Sequence, residues 1–179
     1  SSDVCSSDLN HNMGVFYSSK GLIEKSLPYF KTALEANFGA SQFWYSYIDA
    51  LLKLNRFQEA ERLLEQARSK GGMSGDFKKL ENKIRHLNDL FHLKLNESKL
   101  HYNNGQFREA LEVASVLCTD FSHLIKPWIV SGLACQALGE NRLAIENYKQ
   151  AIKLKPDFSE VYNNMGIALK SIGKLDNAI

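Results

Sequence analysis

Apolar positions along residues 125–158 fall into two groups. Trp128, Leu133, Cys135 and Leu138 form one, and Leu143, Ile145, Tyr148, Ile152 and Leu154 form the other, with the polar run Gly139-Glu140-Asn141 between them. Spacings of three and four residues are those of an amphipathic helix. The segment therefore predicts two helices joined by a tight turn. Pro156 stops the second helix, because proline has no N–H to donate and its ring clashes with the preceding turn. A helix pair this short cannot bury its apolar faces alone and needs neighbours stacked on it.

Those neighbours are visible as an internal repeat. Gly132, Gly139, Ala144 and Trp128 recur 34 residues later as Gly166, Gly173, Ala178 and Tyr162, and Gly105 and Ala110 lie 34 residues before Gly139 and Ala144. Gly14, Gly21 and Ala60 occupy the corresponding places nearer the start. The frame is 7–40, 41–74, 91–124, 125–158 and 159–179, five units with 16 additional residues, 75–90, after the second. In the second helices, small residues such as Ala144 and Ala151, together with Gly132 in a first helix, allow close approach of neighbouring backbones, and Trp128 and Tyr148 fill the space left over. The additional segment places Phe77, Leu80, Ile84, Leu87 and Phe91 three and four residues apart, so it predicts an amphipathic helix with Asp76 as its N-cap. Its Lys78, Lys79, Lys83 and Arg85 are diluted by Glu81 and Asp89 and read as a solvated face. Whether residues 75–104 form one continuous helix through Asn88 and Asp89 stays open at this level.

The expected organisation is thus two units over 10–74, an inserted amphipathic helix over 75–90, and two full units with a truncated fifth over 91–179. Residues 1–9, "SSDVCSSDL", share nothing with the units and have neither the basic nor the apolar region of a secretory signal. They read as a non-native scar, and the chain as an internal piece of a longer protein.

A 34-residue helix–turn–helix with an aromatic near its start, a small residue mid-helix, then A-x3-F/Y-x2-A and a proline resembles the tetratricopeptide repeat. The resemblance is carried by "WIVSGLAC", "AIENYKQAIKLKPD" and "YNNMGIAL", by "MGVFY" with "SLPYFKTAL", and by "WYSYIDAL" with "AERLLEQA". It implies an all-α fold, a right-handed superhelical solenoid of stacked antiparallel helix pairs. Ile48, Ser98, Ala114, Ser131 and Phe38 depart from the family pattern and raise questions of local packing. The stretch from "HNMGVFY" through "LPYFKTALEANFGASQFWYSYIDALLKLNRFQEAERLLEQARSKG" is also similar to the N-terminal repeat region of bacterial tetratricopeptide proteins that carry a transferase domain.

The resemblance implies a binding surface in the groove lined by first helices. The sixth position of each unit holds Asn12, Ser46, Asn96, Val130 and Asn164. In the repeat arm of O-linked N-acetylglucosamine transferases, which this resembles, asparagines there grip a peptide backbone. A carboxamide offers both a donor and an acceptor to a peptide group, whatever the peptide's sequence. Asn12, Asn96 and Asn164 are accordingly the candidate peptide-binding residues. The clamp used for chaperone tails needs a lysine at the fifth position, where this chain has His11, Tyr45, Leu95, Ile129 and Asn163.

Composition narrows the remaining options. A formal net charge of +2 is too small for a nucleic-acid footprint. No apolar run approaches the roughly 18 residues that cross a bilayer. Cys5, Cys118 and Cys135 form neither a C-x-x-C pair nor a disulfide framework, so Cys118 and Cys135 read as core residues of a reducing, cytoplasmic compartment. The histidines are not spaced as metal ligands, and no catalytic constellation or phosphate loop is present. The expectation is a non-enzymatic scaffold without cofactor or metal, whose partner is a protein or peptide rather than nucleic acid or membrane. Self-association through the truncated last unit is a further expectation.

Overall fold

The computed structural model describes residues 2–72 and 77–173, so Asp76 and Ala178 lie outside the described residues. The regular structure among them is helical: α1 (Ser2–Ser19), α2 (Ile23–Ala36), α3 (Ser41–Lys53), α4 (Phe57–Ser69), α5 (Lys78–Asn103), α6 (Phe107–Asp120), α7 (Ile125–Ala137), α8 (Asn141–Leu154) and α9 (Ser159–Ser171). The chain divides into two compact units, Ser1–Asp89 and Leu90–Ile179. Helix α5 runs unbroken through Asn88 and Asp89 and contributes to both. Helix α1 includes residues read from the sequence as a scar, and Ser7 within it is buried.

The same turn joins the two helices in each of the first four repeats. After α1, the N–H of Leu22 donates to the Tyr17 carbonyl at 3.0 Å and that of Gly21 to the Ser18 carbonyl at 3.1 Å. This pair of bonds is a Schellman motif, which satisfies the last carbonyls of a helix and requires a left-handed residue. The same 6→1 bond recurs from Arg56 to Leu51, Gln106 to His101 and Glu140 to Cys135. The left-handed residue is glycine at 21, 105, 139 and 173, but in the second repeat it is Asn55, at φ 56°. Asparagine is among the few residues with a side chain that visit this region at modest cost.

In the first unit α1 packs on α2, α2 on α3 and α3 on α4. A Cβ on Gly14 would fall 2.6 Å from both Cδ1 and Cε1 of Phe30, so the ring occupies the space that the glycine leaves. Trp44 is fully buried, and its indole N–H donates to the Phe38 carbonyl at 2.7 Å, tying α3 to the loop before it. That loop has no proline. The Asn37 side chain instead accepts from the Gly39 N–H at 3.0 Å and turns the chain out of α2. Phe77 and the start of α5 meet α3 and α4: Phe77, Leu80 and Ile84 are buried, Phe77 meets the Tyr45 ring edge-on, and Arg68 pairs with Glu81 at 2.6 Å. Lys78, Lys79, Lys83 and Arg85 are exposed, as a solvated face requires.

In the second unit α6 packs on α7, α7 on α8 and α8 on α9. Phe91 meets Phe121 edge-on, with ring centroids 5.2 Å apart. Gly132 faces the Tyr148 ring as Gly14 faces Phe30. Trp128 is half-buried, and its N–H donates to the Ser122 carbonyl at 2.9 Å, the counterpart of the Trp44 bond. Helix α8 ends at Leu154, and Lys155 before Pro156 is extended at φ −146°, ψ 90°, as a residue preceding proline must be.

Three departures from the repeat pattern, Ile48, Ser98 and Ala114, lie in the core. Where two repeats pair glycine with a large ring, the second has Ile48 and Leu64 at the same places, and the third has Ser98 and Ala114, all buried. The Ser98 hydroxyl donates to the Ala110 carbonyl at 2.7 Å, so its polarity is satisfied in the core. The summed size of the two side chains differs from repeat to repeat, smallest for Ser98 with Ala114 and largest for Ile48 with Leu64, so each repeat solves its own local fit in a dense interior.

Candidate functional site

The second unit has an open groove of about 360 Å³ on the face formed by its first helices. Helix α5 contributes Lys99, Tyr102 and Asn103, and α7 contributes Lys126, Ile129, Val130 and Leu133. Phe158 and Glu160 close it at the start of α9. The first unit has a groove of about 250 Å³ in the same register, with Val15, Ser18 and Ser19 from α1 and Tyr45, Ser46, Asp49 and Lys53 from α3. In repeat numbering, positions nine, twelve and thirteen of one first helix face positions five, six and nine of the next. Consecutive first helices therefore build the same trough twice with different side chains.

The asparagines proposed from the sequence fall on or beside this face in different ways. Asn12 on α1 and Asn96 on α5 are exposed, and Asn164 on α9 is half-exposed. None of the three lines either groove. Asn96 lies three residues before Lys99 on α5, and Asn164 four residues after Glu160 on α9, so each is one helical turn from a groove residue. The other two sixth positions, Val130 and Ser46, do line the grooves. Val130 is only 6% exposed and forms the floor of the second groove. The Ser46 hydroxyl and His11 Nε2 share a hydrogen bond of 2.9 Å.

His11 is itself buried, stacked on Phe43 at 4.8 Å between centroids. Burial lowers its pKa below the usual histidine value, while the nearby Asp8 carboxylate pulls the other way. It is a neutral packing residue between α1 and α3.

Charge separates the two grooves. In the first, Lys53 pairs with Asp49 at 2.8 Å, and Asp49 also receives Lys83 at 3.5 Å. In the second, among the described residues neither Lys99 nor Lys126 has a carboxylate within 4.0 Å. Lys126 stands in the first turn of α7, which contains no acidic residue. A helix N-terminus carries partial positive charge, so the lysine adds to the local potential instead of offsetting it. Glu160 has the opposite setting, in the first turn of α9.

Cys118 and Cys135 are free and buried. Burial, with the neighbouring Cys135, pushes the Cys118 thiol up to about 12. Burial likewise raises Cys135, whose sulfur accepts weakly from the Asn147 amide at 3.7 Å. A thiol held in its protonated form is neither a nucleophile nor a ready metal ligand. Among the described residues, no cluster of three or more His, Cys, Asp or Glu is placed to hold a metal, and no helix is long and apolar enough to cross a membrane.

Comparison with known proteins agrees with the repeat geometry. Residues 132–173 match a family described as TPR repeat, and residues 19–84 match one described as Tetratricopeptide repeat. The chain carries tetratricopeptide repeats. No curated protein matches it in sequence. Among solved structures it is similar to the P58(IPK) TPR domain, at 15% identity and a TM-score of 0.58 over 96% of this chain and 48% of that one. It is also similar to MamA (residue 41 to the end) from Desulfovibrio magneticus RS-1, at 18% identity and a TM-score of 0.48 over 97% and 89% of the two chains. A third is YrrB, "a TPR protein with an unusual peptide-binding site", at 16% identity and a TM-score of 0.48 over 95% and 79%. The likeness to the P58(IPK) domain is one of fold, and the fold class is the all-α tetratricopeptide solenoid.

Proposed function

We propose that this tetratricopeptide chain is a non-catalytic scaffold that binds a peptide or protein segment along the groove of its second unit. The observation that carries the reading is the trough between α5 and α7, with an apolar floor of Ile129, Val130 and Leu133 and an exposed polar rim. An apolar floor supplies affinity by leaving water, and a few rim groups fix orientation. The test is a random dodecapeptide display library selected on the intact chain, followed by titration of enriched peptides. Leu133→Glu, which puts a charge on a half-exposed floor position, should abolish binding; binding that survives it unchanged refutes the reading.

A narrower form makes the chain the substrate-recruiting arm of a bacterial transferase, O-linked N-acetylglucosamine transferase-like or sulfotransferase-linked. Exposure of Asn12 and Asn96 and half-exposure of Asn164 on first helices favour it. Changing all three to alanine should then weaken peptides of unrelated sequence to a similar degree, each lost bond being worth roughly 0.5–1.5 kcal/mol, with the melting temperature nearly unmoved. No loss removes this form while leaving the groove reading intact. The buried, unpaired cysteines fit a cytoplasmic setting. Self-association through the last unit belongs to the same reading. Met165 and Leu169 line an open cleft of about 550 Å³ beside Leu143 and Ile145, which a second copy would cover. Sedimentation showing only monomer across a wide concentration range excludes it.

A further inference from the structure

We infer that the segment taken by the second-unit groove is acidic and apolar: a bulky apolar side chain on Ile129, Val130 and Leu133, flanked by aspartate or glutamate reaching Lys99 and Lys126. The inference rests on the peptide-binding reading above and adds the chemistry of the partner. Three observations carry it.

The first is the mismatch between floor and rim. The floor is apolar, whereas the rim presents two exposed lysines without a carboxylate partner within 4.0 Å among the described residues. A ligand that covers the floor must bring its own flanking groups close to both lysines, and carboxylates are the groups that those ammonium ions favour. The second is the contrast with the first unit. There the corresponding trough also holds a lysine, Lys53, but Asp49 neutralises it at 2.8 Å, so that groove offers no free cation to a ligand.

The third concerns Glu160, the acidic residue of the second groove. Two lysines against one glutamate leave a net charge of +1 on the lining. Glu160 also lies in the first turn of α9, where the positive end of the helix offsets part of its charge. The potential over the floor is therefore set by the lysines. Two cations beside an apolar floor, Lys99 on α5 and Lys126 on α7, suit a short acidic stretch of protein. A nucleic-acid backbone, with a phosphate at every step, calls for a longer basic track.

The experiment reads composition from the dodecapeptide selection on the intact chain, using fusions that leave no free C-terminus on the displayed peptide. Enriched peptides should carry leucine, phenylalanine or methionine beside aspartate or glutamate. In fluorescence anisotropy with the best synthetic, C-terminally amidated peptide, Lys99→Ala and Lys126→Ala should each weaken binding about threefold, the scale of an exposed ion pair. Lys99→Glu with Lys126→Glu should weaken it at least tenfold, Glu160→Gln should tighten it about twofold, and Lys53→Ala should leave it unchanged. Higher salt should weaken it. Peptides that enrich and depend on Leu133 but show no acidic bias, or ignore both lysines, overturn this inference and leave the groove reading standing. A selection that enriches nothing overturns both. Because Lys99 and Lys126 are exposed, their variants keep the test decisive even where Leu133→Glu disturbs folding.

Discussion

Gly132→Ala asks how tightly a first helix packs on its second in the tetratricopeptide core. Alanine is the better helix former, and in an open helix the substitution would gain about 1 kcal/mol. Here the new Cβ would lie within 3.0 Å of three atoms of the Tyr148 ring, with Cδ1 at 2.8 Å and Cζ at 2.9 Å. Such contacts do not occur without movement, and the ring has little room for it. Tyr148 is fully buried, and its hydroxyl donates to Gln136 Oε1 at 2.9 Å. Overpacking of a dense core costs about 1–3 kcal/mol, and a ring pinned at both ends argues for the upper value. The expected net loss is about 2 kcal/mol after the helix gain. In a Tyr148→Leu background the obstructing ring is gone, as in the second repeat with Ile48 and Leu64, so the same Gly132→Ala should gain about 1 kcal/mol. The coupling between the two sites is then about 3 kcal/mol. Urea unfolding of all four chains by far-ultraviolet circular dichroism measures it, provided the slopes agree, because repeat arrays can lose cooperativity. A Gly132→Ala chain as stable as the parent, or effects that simply add, would refute the claim that the Tyr148 ring excludes a Cβ at position 132.

Other substitutions probe single features. Asn55→Gly should be neutral within a few tenths of a kcal/mol, and Asn55→Ala should cost about 1 kcal/mol, since a Cβ without a polar tip is disfavoured at φ 56°; equal midpoints for the two would contradict the turn assignment. His11 takes up protons more readily when unfolded, because burial lowers its folded pKa below 6.5. Its contribution to stability is therefore complete above about pH 6.5 and declines as pH falls toward the folded value. A lower urea midpoint at about pH 5.5 than at about pH 7.5, reduced in His11→Gln, is the expected result. Cys118 and Cys135 should resist iodoacetamide at mildly alkaline pH in the native chain and react once it is unfolded, and rapid native labelling would show that either thiol is reachable.

Much of the fold was legible because packing is periodic. Two helices in each of the first four repeats, the turn at Gly139 and the stop at Pro156 all follow from spacing and from what glycine and proline permit. Asn55 escaped notice because the sequence shows only a missing glycine, whereas the backbone shows a left-handed residue that asparagine tolerates. Ile48 departs from the family preference but is paired with Leu64 and not with a ring, and Ser98 is accommodated by the bond from its hydroxyl to the Ala110 carbonyl, neither of which a single period records. Trp128 was read as core, but the fully buried tryptophan is its counterpart Trp44; burial depends on the neighbouring repeat, which the residue's own period does not record. The groove was legible only as far as the face it occupies. At the sixth position Val130 and Ser46 line the grooves where asparagine was expected, and at the fifth Tyr45 and Ile129 line them although that position was weighed only for lysine. Lys99, Tyr102 and Asn103 are three and four residues apart on one helix, so asking which polar residues share a side with Asn96 would have found them.

These two sets of positions divide the work. The eighth position of a first helix points at its own second helix, as Gly14 does at Phe30 and Gly132 at Tyr148, and the ring there leaves no room for a larger residue. Positions nine, twelve and thirteen turn toward the open trough, where Val15, Ser18 and Ser19 in one unit correspond to Lys99, Tyr102 and Asn103 in the other. A trough that holds a valine in one copy and a lysine in the other is not constrained by packing at that place. Lys99→Glu should therefore leave the urea midpoint within about 0.5 kcal/mol of the parent, the usual range for an exposed site, while changing the peptides that the chain selects. A loss of stability comparable to that of Gly132→Ala would mean that Lys99 takes part in the core. The trough could then not be altered independently of the fold that supports it.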